Sequence, residues 1–325
     1  MRHFLIEFIT GGGLSGKVLP KALVKEGDMM VKTLLHELSE AGYLDIALTR
    51  DKRLELFEHN MKQYFINKSL EEELSEHIIK SDIVWLIAPE TNGCLATFAE
   101  KFFRNGQIYI GSSPDAIRIA TSKLLTNKHL ADAGIKIVDT KSLDNEIIES
   151  QAGWIIKPND GVGGEFCHFI NDKQKLEKVI TENKNKGFIM QPFIDGRHMS
   201  MSLLVLDGAV RLLGCNEQYV EIRNGCVSLT GIGVNECLYL KDEMNSLAQK
   251  IISTISGFSG YIGVDMIEFD GEFFVLEINP RFTTAYVGLS NSLGCNITKI
   301  ILDTFLKKKL PDIDLMSAVP IKINI

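Results

Sequence analysis

The sequence predicts a mixed chain, a parallel α/β unit followed by an α+β unit, and three patterns carry that expectation. Short apolar runs alternate with helix-length amphipathic segments over roughly the first 110 residues, the texture of a small parallel sheet. Beyond about residue 150 come shorter strand-like runs and, from His198, long runs that alternate polar and apolar positions, the texture of an α+β unit. Near the end, two such runs flank Asp270-Gly271, a dipeptide that favours a two-residue hairpin turn.

Taken in order, residues 3–9 form an apolar strand pattern that ends in Gly11-Gly12-Gly13. A helix is expected over 29–41, stopped by Gly42. Strands follow at 45–49 and 83–88, the latter (IVWLIA) apolar almost throughout, as a strand covered on both faces must be. The loop Pro89-Glu90-Thr91-Asn92-Gly93 then leaves a strand's carboxyl end, where ligands bind in such sheets. Residues 116–133 predict one amphipathic helix containing Lys123. Strands at 153–158, 165–170 and 188–194, with a helix over 173–185, make a compact α+β unit. Long alternating runs from His198, a helix over 242–256 and the Asp270-Gly271 hairpin complete the chain.

Composition narrows the function. With 325 residues, 45% hydrophobic and 24% charged, the chain has ample apolar material for an enzyme core and none of the bias of a disordered protein. A net charge of −7 leaves no basic field for a nucleic acid or an anionic membrane. Neither a signal-peptide pattern nor an uncharged 18-residue run is present, so a cytoplasmic location is expected. Six cysteines without a C-x-x-C pair predict reduced structural thiols, and seven histidines without H-E-x-x-H give a zinc hydrolase no support.

Three constellations could carry chemistry. Gly11 to Val18 fits G-x-x-x-x-G-K, but a P-loop needs a Mg²⁺-binding hydroxyl after the lysine, where Val18 stands. A glycine turn, either approached by substrate through Gly12 and Gly13 or purely structural, remains. A stronger set is Asp265, Glu277 and Asn279. Strand alternation puts Glu277 and Asn279 on one face, and hairpin pairing can bring Asp265 opposite them. Two carboxylates and an amide suit Mg²⁺, which is held by one or two carboxylates plus phosphates and water. A polar solvent face is the bland alternative, which the apolar 273–276 run disfavours. Arg281, two residues on, is placed to hold a phosphoryl group or a carboxylate. Finally, Lys157 precedes Pro158-Asn159-Asp160-Gly161-Val162-Gly163-Gly164, a glycine loop whose amides could wrap phosphates, and Lys123 offers a second cation.

Lys123, WIIK157PNDGVGG, MQ191PFIDGRH198, Asp265 and E277-I-N279-P-R281 together resemble the ATP-grasp ligases in order and content, over about residues 90 to 310. The resemblance implies an ATP-grasp fold with an N-terminal Rossmann-like pre-ATP-grasp domain. It divides the chain into that α/β domain (1–115), a small lid subdomain (116–190) and a C-terminal subdomain with the metal site (191–325). It implies that Lys123 and Lys157 contact the α and β phosphates of ATP, and that Gly161, Gly163 and Gly164 close over the β/γ end. By the same resemblance Gln191, Pro192 and Ile194 form the adenine hinge, and His198 lies near the ribose unless it is a core histidine. Asp265, Glu277 and Asn279 would hold two Mg²⁺ ions, or Mn²⁺. Arg281 and Lys157 would act on the transferred phosphoryl group, with a carboxylate phosphorylated and then attacked by an amine.

The opening EFITGGGLSG and C215-N-E-Q218 are similar to the tyramine-glutamate ligases of methanofuran synthesis and their bacterial relatives. That resemblance implies glutamate as the activated acid, through its γ-carboxylate, and tyramine, tyrosine or an amino acid as acceptor. Asn216, Glu217, Gln218 and Arg223 become candidate substrate contacts, although a polar strand face explains them as well. Small molecules are the expected partners, and a homodimer is expected from the family. The alternatives are another ATP-grasp dipeptide ligase or carboxylase, or a nucleotide-binding sensor without turnover.

Overall fold

A computed structural model describes residues 1–57, 61–67, 69–78, 80–103, 106–144, 147–161 and 166–325, with 75–78 described by backbone alone. Among them, the first third forms β1 (His3–Glu7), α1 (Lys21–Glu40), β2 (Ile46–Asp51), β3 (Lys62–Ile66), α2 (Leu70–Ile78), β4 (Ile83–Ile87), α3 (Cys94–Phe103) and β5 (Ile108–Ile110). The strands pair in parallel in the order β3-β2-β1-β4-β5. Chain direction across the sheet therefore reverses between β1 and β4, and the crevice beyond their carboxyl ends is the natural ligand position. β1 and β4 are buried at every residue, which accounts for their unbroken apolar runs.

Two expectations in this region change. Helix α1 begins eight residues earlier than its apolar period suggests, because Gly27 and the polar residues around it mask the pattern. Gly27 belongs there for a packing reason: a Cβ would lie 2.6 Å from Glu7 Oε2. The single helix over 116–133 is instead α4 (Pro114–Thr121) and α5 (Lys123–Asp132). They are broken at Ser122, whose extended backbone and hydroxyl, accepting from Leu125 N, cap the second helix.

The rest of the chain forms β6 (Lys141–Ser142), β7 (Trp154–Pro158), β8 (His168–Ile170), α6 (Lys173–Asn183), β9 (Phe188–Pro192), β10 (Arg197–Leu206), β11 (Ala209–Arg223) and β12 (Cys226–Val234). There follow α7 (Lys241–Thr254), β13 (Gly260–Phe269), β14 (Glu272–Asn279), α8 (Tyr286–Leu293), α9 (Ile297–Lys307) and β15 (Ile321–Asn324). Their sheet runs β14-β13-β10-β11-β12-β8-β7-β9-β6, with β15 also on β12. Between β12 and β8 the recorded pairing is one residue deep, Cys226 with His168. The piece beyond it has its own core of Leu143, Trp154, Ile156, Leu176 and Met190. Among the described residues this small unit thus has a core of its own and meets the large sheet at one ladder step.

Helices α4, α5 and α7 pack on the large sheet, where Ala116, Leu130 and Met244 join Met199, Met201 and Ile262. A further cluster joins the two halves: Leu34, Leu38 and Trp85 from the parallel sheet region meet Leu204, Phe282, Tyr286 and Ile301. The crevice at the end of β1 and β4 is thereby fixed against the end of β14.

Candidate active site

The hairpin of β13 and β14 turns at Asp270 and Gly271, both with positive φ (50° and 76°), as a type I′ turn requires. Counting back from it, Phe269 pairs with Glu272 and Met266 with Val275. Strict alternation would next place Asp265 opposite Leu276 and send Glu277 to the other face. A β-bulge intervenes, Leu276 is the extra residue, and Asp265 pairs with Glu277. One residue of slip thus brings Asp265, Glu277 and Asn279 onto one face.

Asp265 is held by Gln218 Nε2 at 2.9 Å and Asn279 Nδ2 at 3.0 Å. Burial, and then the neighbouring Glu277, pushes its carboxyl above the usual range. Partial burial raises the Glu277 pKa as well, but Lys123 and Lys157 outweigh that and hold it below the usual range. Two carboxylates pressed together in this way invite a cation. Among the described residues no three His, Cys, Asp or Glu side chains converge, so the donor set is these two carboxylates and the Asn279 amide oxygen. That set, which leaves several positions for phosphate and water, fits Mg²⁺.

The cations lie opposite. Lys123, 4% exposed at the start of α5, reaches Glu277 at 3.1 Å and the Gly161 carbonyl at 2.9 Å. Lys157, on β7, lines the same cavity and has no ion pair or hydrogen bond among the described residues. Burial, and the nearby Lys123, lower its pKa, and Glu277 opposes them. The foot of the glycine loop is pinned by Asn159, whose side chain accepts from Leu124 N at 3.0 Å, and by Asp160, which accepts from Asn92 N at 2.8 Å. Gly161 lines the cavity. Gly163 and Gly164 lie outside the described residues.

Val138, Ile155, Ile267 and Leu276 give the cavity an apolar slot, bordered by Gln191, Pro192, Phe193, Ile194 and His198. Gln191 turns its side chain to Thr140 at 2.8 Å, so its contribution to the slot is backbone. The Phe193 amide is bonded to Gly153 O, whereas the Ile194 amide has no partner among the described residues. Burial and the charge of Lys157 depress the His198 pKa.

At the other end the cavity, about 660 Å³ in all, opens into the crevice beyond β1 and β4. Arg281 stands there with its Nε on the Glu90 carboxylate at 2.9 Å and Nη1 on Phe282 O at 3.1 Å. Glu90, Glu26 and Thr284 were not singled out by sequence, since no motif marks them. For Glu90, its place in the loop after β4 was the available signal.

Several expected substrate contacts lie elsewhere. Gly12 and Gly13 do not line the cavity; their missing side chains make room for Ile66 and the Phe8 ring, 2.7 and 2.4 Å from where a Cβ would stand. Asn216 is consumed in a buried network with Ser200, Ser202 and the Asn235 amide. Glu217 faces the opposite side of β11 and pairs with Arg197 at 2.7 Å. Arg223, its side chain 78% exposed, pairs with Glu221 at the hairpin tip. Of that group Gln218 alone reaches the cavity. In the glycine turn the amides of Gly11, Gly13, Ser15 and Lys17 are bonded to carbonyls of Glu7, Phe8, Gly12 and Leu14 and are not free to hold a phosphate.

Comparison with known proteins agrees with this geometry. Residues 120–285 match the ATP-grasp domain, and residues 44–117 match the pre ATP-grasp 3 domain. The chain is 30% identical over 280 residues to the tyramine–L-glutamate ligase of Methanocaldococcus jannaschii, covering 84% of this chain and 80% of that protein. An ATP-grasp superfamily protein from Archaeoglobus fulgidus shares the fold with a TM-score of 0.73 and 24% identity, over 96% of this chain and 90% of that one. The D-alanine–D-alanine ligase of Bacillus anthracis, solved with ATP, shares it with a TM-score of 0.65 and 19% identity, over 95% and 98%. With its metal-suited hairpin, its two lysines and a family match over half its length, the chain belongs to the ATP-grasp family.

Proposed function

We propose that this chain uses ATP to phosphorylate the γ-carboxylate of glutamate and passes the acyl group to an amine, tyramine, tyrosine or an amino acid, releasing ADP and phosphate. The reaction class, ATP-dependent carbon–nitrogen ligation, is that of its relatives. The substrate assignment rests on the 30% identity to a tyramine–L-glutamate ligase. One observation carries the chemistry: a single cavity runs from the apolar slot at Ile194 and Leu276, past Asp265 and Glu277, to Arg281 and the crevice of the parallel sheet. A nucleotide in the slot then points its phosphates at an acid held beside Arg281.

The difficulty of the reaction is that two anions must meet. Lys157 and Lys123 supply fixed positive charge along the phosphates, and Arg281 supplies it where the carboxylate approaches. Asp265, Glu277 and Asn279 would hold Mg²⁺, two ions being expected with Mn²⁺ as a substitute, and the metal would supply charge neutralisation to the phosphates. A carboxylate oxygen attacks the γ-phosphorus and ADP leaves. The amine nitrogen then attacks the acyl carbon, phosphate leaves and the nitrogen loses its proton. Closure of the lid on its single ladder step to β12 excludes water, which would otherwise consume the acyl phosphate. A homodimer acting on small molecules in the cytoplasm, with no nucleic-acid or membrane partner, completes the proposal. No helix among the described residues is long and apolar enough to cross a membrane.

The test is isotopic. Glutamate labelled with ¹⁸O in its γ-carboxylate should deliver one ¹⁸O to the phosphate released during turnover. Unlabelled phosphate, with ADP formed and product condensed, contradicts acyl-phosphate formation.

A further inference from the structure

The crevice end of the cavity is bounded by one face of α1. Leu23, Glu26, Gly27 and Met30 all line it and follow the i, i+3, i+4, i+7 spacing of a helix surface. Four carboxylates line the cavity, and three are accounted for by internal bonds or by the metal-suited set. Glu7 accepts from the amides of Ile9 and Thr10 and from the Thr10 hydroxyl. Asp265 accepts from Gln218 and Asn279, and Glu277 pairs with Lys123.

Glu26 differs. Its Oε1 accepts from the buried Thr284 Oγ1 at 2.7 Å, and among the described residues it has no ion pair and no further hydrogen bond. An ionised carboxylate offers about four acceptor positions. The Thr284 bond uses one of them, and Glu26 lines the cavity with the rest. Arg281 is near enough for Glu26 to favour its charge, yet its Nε is committed to Glu90. Thr284 also fixes the direction in which the carboxylate points.

We propose that Glu26 receives a primary ammonium group of the substrate and is thereby a specificity-determining residue of the ligation site. The proposal rests on the ligase function above, in which both the amino acid and the acceptor carry such a group. An alkylammonium fits better than a metal ion, because the neighbours of Glu26 along the helix face are the apolar Leu23 and Met30 and not further oxygen donors. With Arg281 taking a carboxylate and Glu26 an ammonium, the crevice presents opposite charges to a zwitterionic or amine substrate.

Calorimetric titration of the full chain, with Mg²⁺ and a non-hydrolysable ATP analogue present, tests this without requiring turnover. The probes are two pairs that differ in the ammonium group: glutamate against glutarate, and tyramine against 4-hydroxyphenylethanol. E26Q keeps an oxygen for Thr284 and should fold. It should weaken one ammonium-bearing probe tenfold or more while leaving its deaminated partner and the ATP analogue within twofold. Loss confined to glutamate assigns the α-ammonium of the acid; loss confined to tyramine assigns the acceptor. T284V, which removes the orienting hydroxyl, should shift the same probe by a smaller factor, and E26D should recover part of the binding. Equal binding of both ammonium probes by wild type and E26Q overturns the proposal, as does a wild type that prefers neither ammonium compound to its analogue. Absence of ADP with any acid and amine pair would instead remove the ligase function, so the two failures are distinguishable.

Discussion

The Arg281 guanidinium donates through Nε to both oxygens of Glu90, at 3.0 and 2.9 Å, across 191 residues of sequence. Glu90 is buried, 5% exposed, and the Arg281 side chain is 15% exposed. The pair ties the loop after β4 to the end of β14, so the crevice of the parallel sheet and the metal-suited hairpin are held in one geometry. It also fixes the plane of the guanidinium, whose Nη2 has no partner among the described residues.

Removing Glu90 should therefore harm both stability and chemistry. E90A leaves a buried, uncompensated guanidinium, a change that costs about 3–5 kcal/mol. E90Q keeps one acceptor and should fold with a smaller loss, while kcat/KM for the acid falls roughly tenfold because Arg281 is no longer held from both oxygens. Denaturant midpoints and steady-state kinetics of the two variants, measured side by side, check this. Unchanged kcat/KM in E90Q contradicts the positioning role.

The two candidate phosphate lysines separate cleanly by substitution. Lys17 closes a P-loop-like string, yet the Lys17 amide is bonded to Leu14 O and no helix starts until Lys21. Lys157 is half-buried and lines the cavity, and its ammonium has no partner among the described residues. K17A should leave ATP affinity within about twofold, and K157A should weaken it about tenfold or more, with charged hydrogen bonds of about 1.5–3 kcal/mol lost. Nucleotide titration with both variants decides, and the reverse ranking would restore the P-loop.

At the hairpin, E277Q removes the carboxylate that faces both lysines and Asp265. ADP formation should fall by about 100-fold or more, since metal-assisted charge neutralisation is worth several kcal/mol. The melting temperature should stay within a few degrees, because Lys123 retains the Gly161 carbonyl. Added Mn²⁺ should not restore wild-type rates.

Acid stability has a separate source in β1. His3 is buried, its Nδ1 accepts from Trp85 Nε1 at 3.1 Å, and its Nε2 has no partner. Burial, and then the N-terminal ammonium, lower its pKa from 6.5 to about 4. The unfolded chain thus binds the extra proton between those values, so the folded state is at full strength above pH 6.5 and weakens as pH falls toward 4. The loss amounts to about 3 kcal/mol over that interval. Urea unfolding of H3L at pH 7 and pH 4.5 should show a shallower pH dependence than wild type. Equal slopes would exclude His3 as the source.

Much of this architecture was legible in the sequence, and the exceptions share a cause. Apolar period gives β1, β4 and the β13–β14 hairpin because those strands are buried and locally paired. Asp265 and Glu277 are a harder case, since alternation counted from the Asp270 turn sets Asp265 against Leu276, and a bulge at Leu276 is needed to bring the carboxylates together. Lys123 was placed inside one long helix, whereas the break at Ser122 puts it at a helix start facing Gly161. Gly12 and Gly13 offered glycines without a reason, and the reason is contact with Ile66 and Phe8. Glu26 and Glu90 find their partners 258 and 191 residues away, so no window of sequence could have paired them.

The most direct test of the central claim is ADP release coupled to product mass, with ATP, Mg²⁺ and glutamate, in the presence and absence of tyramine, tyrosine and a panel of amino acids. The account predicts ADP that depends on both glutamate and one amine, with a product whose mass equals their sum less one water. ATP binding without ADP from any pair would contradict it.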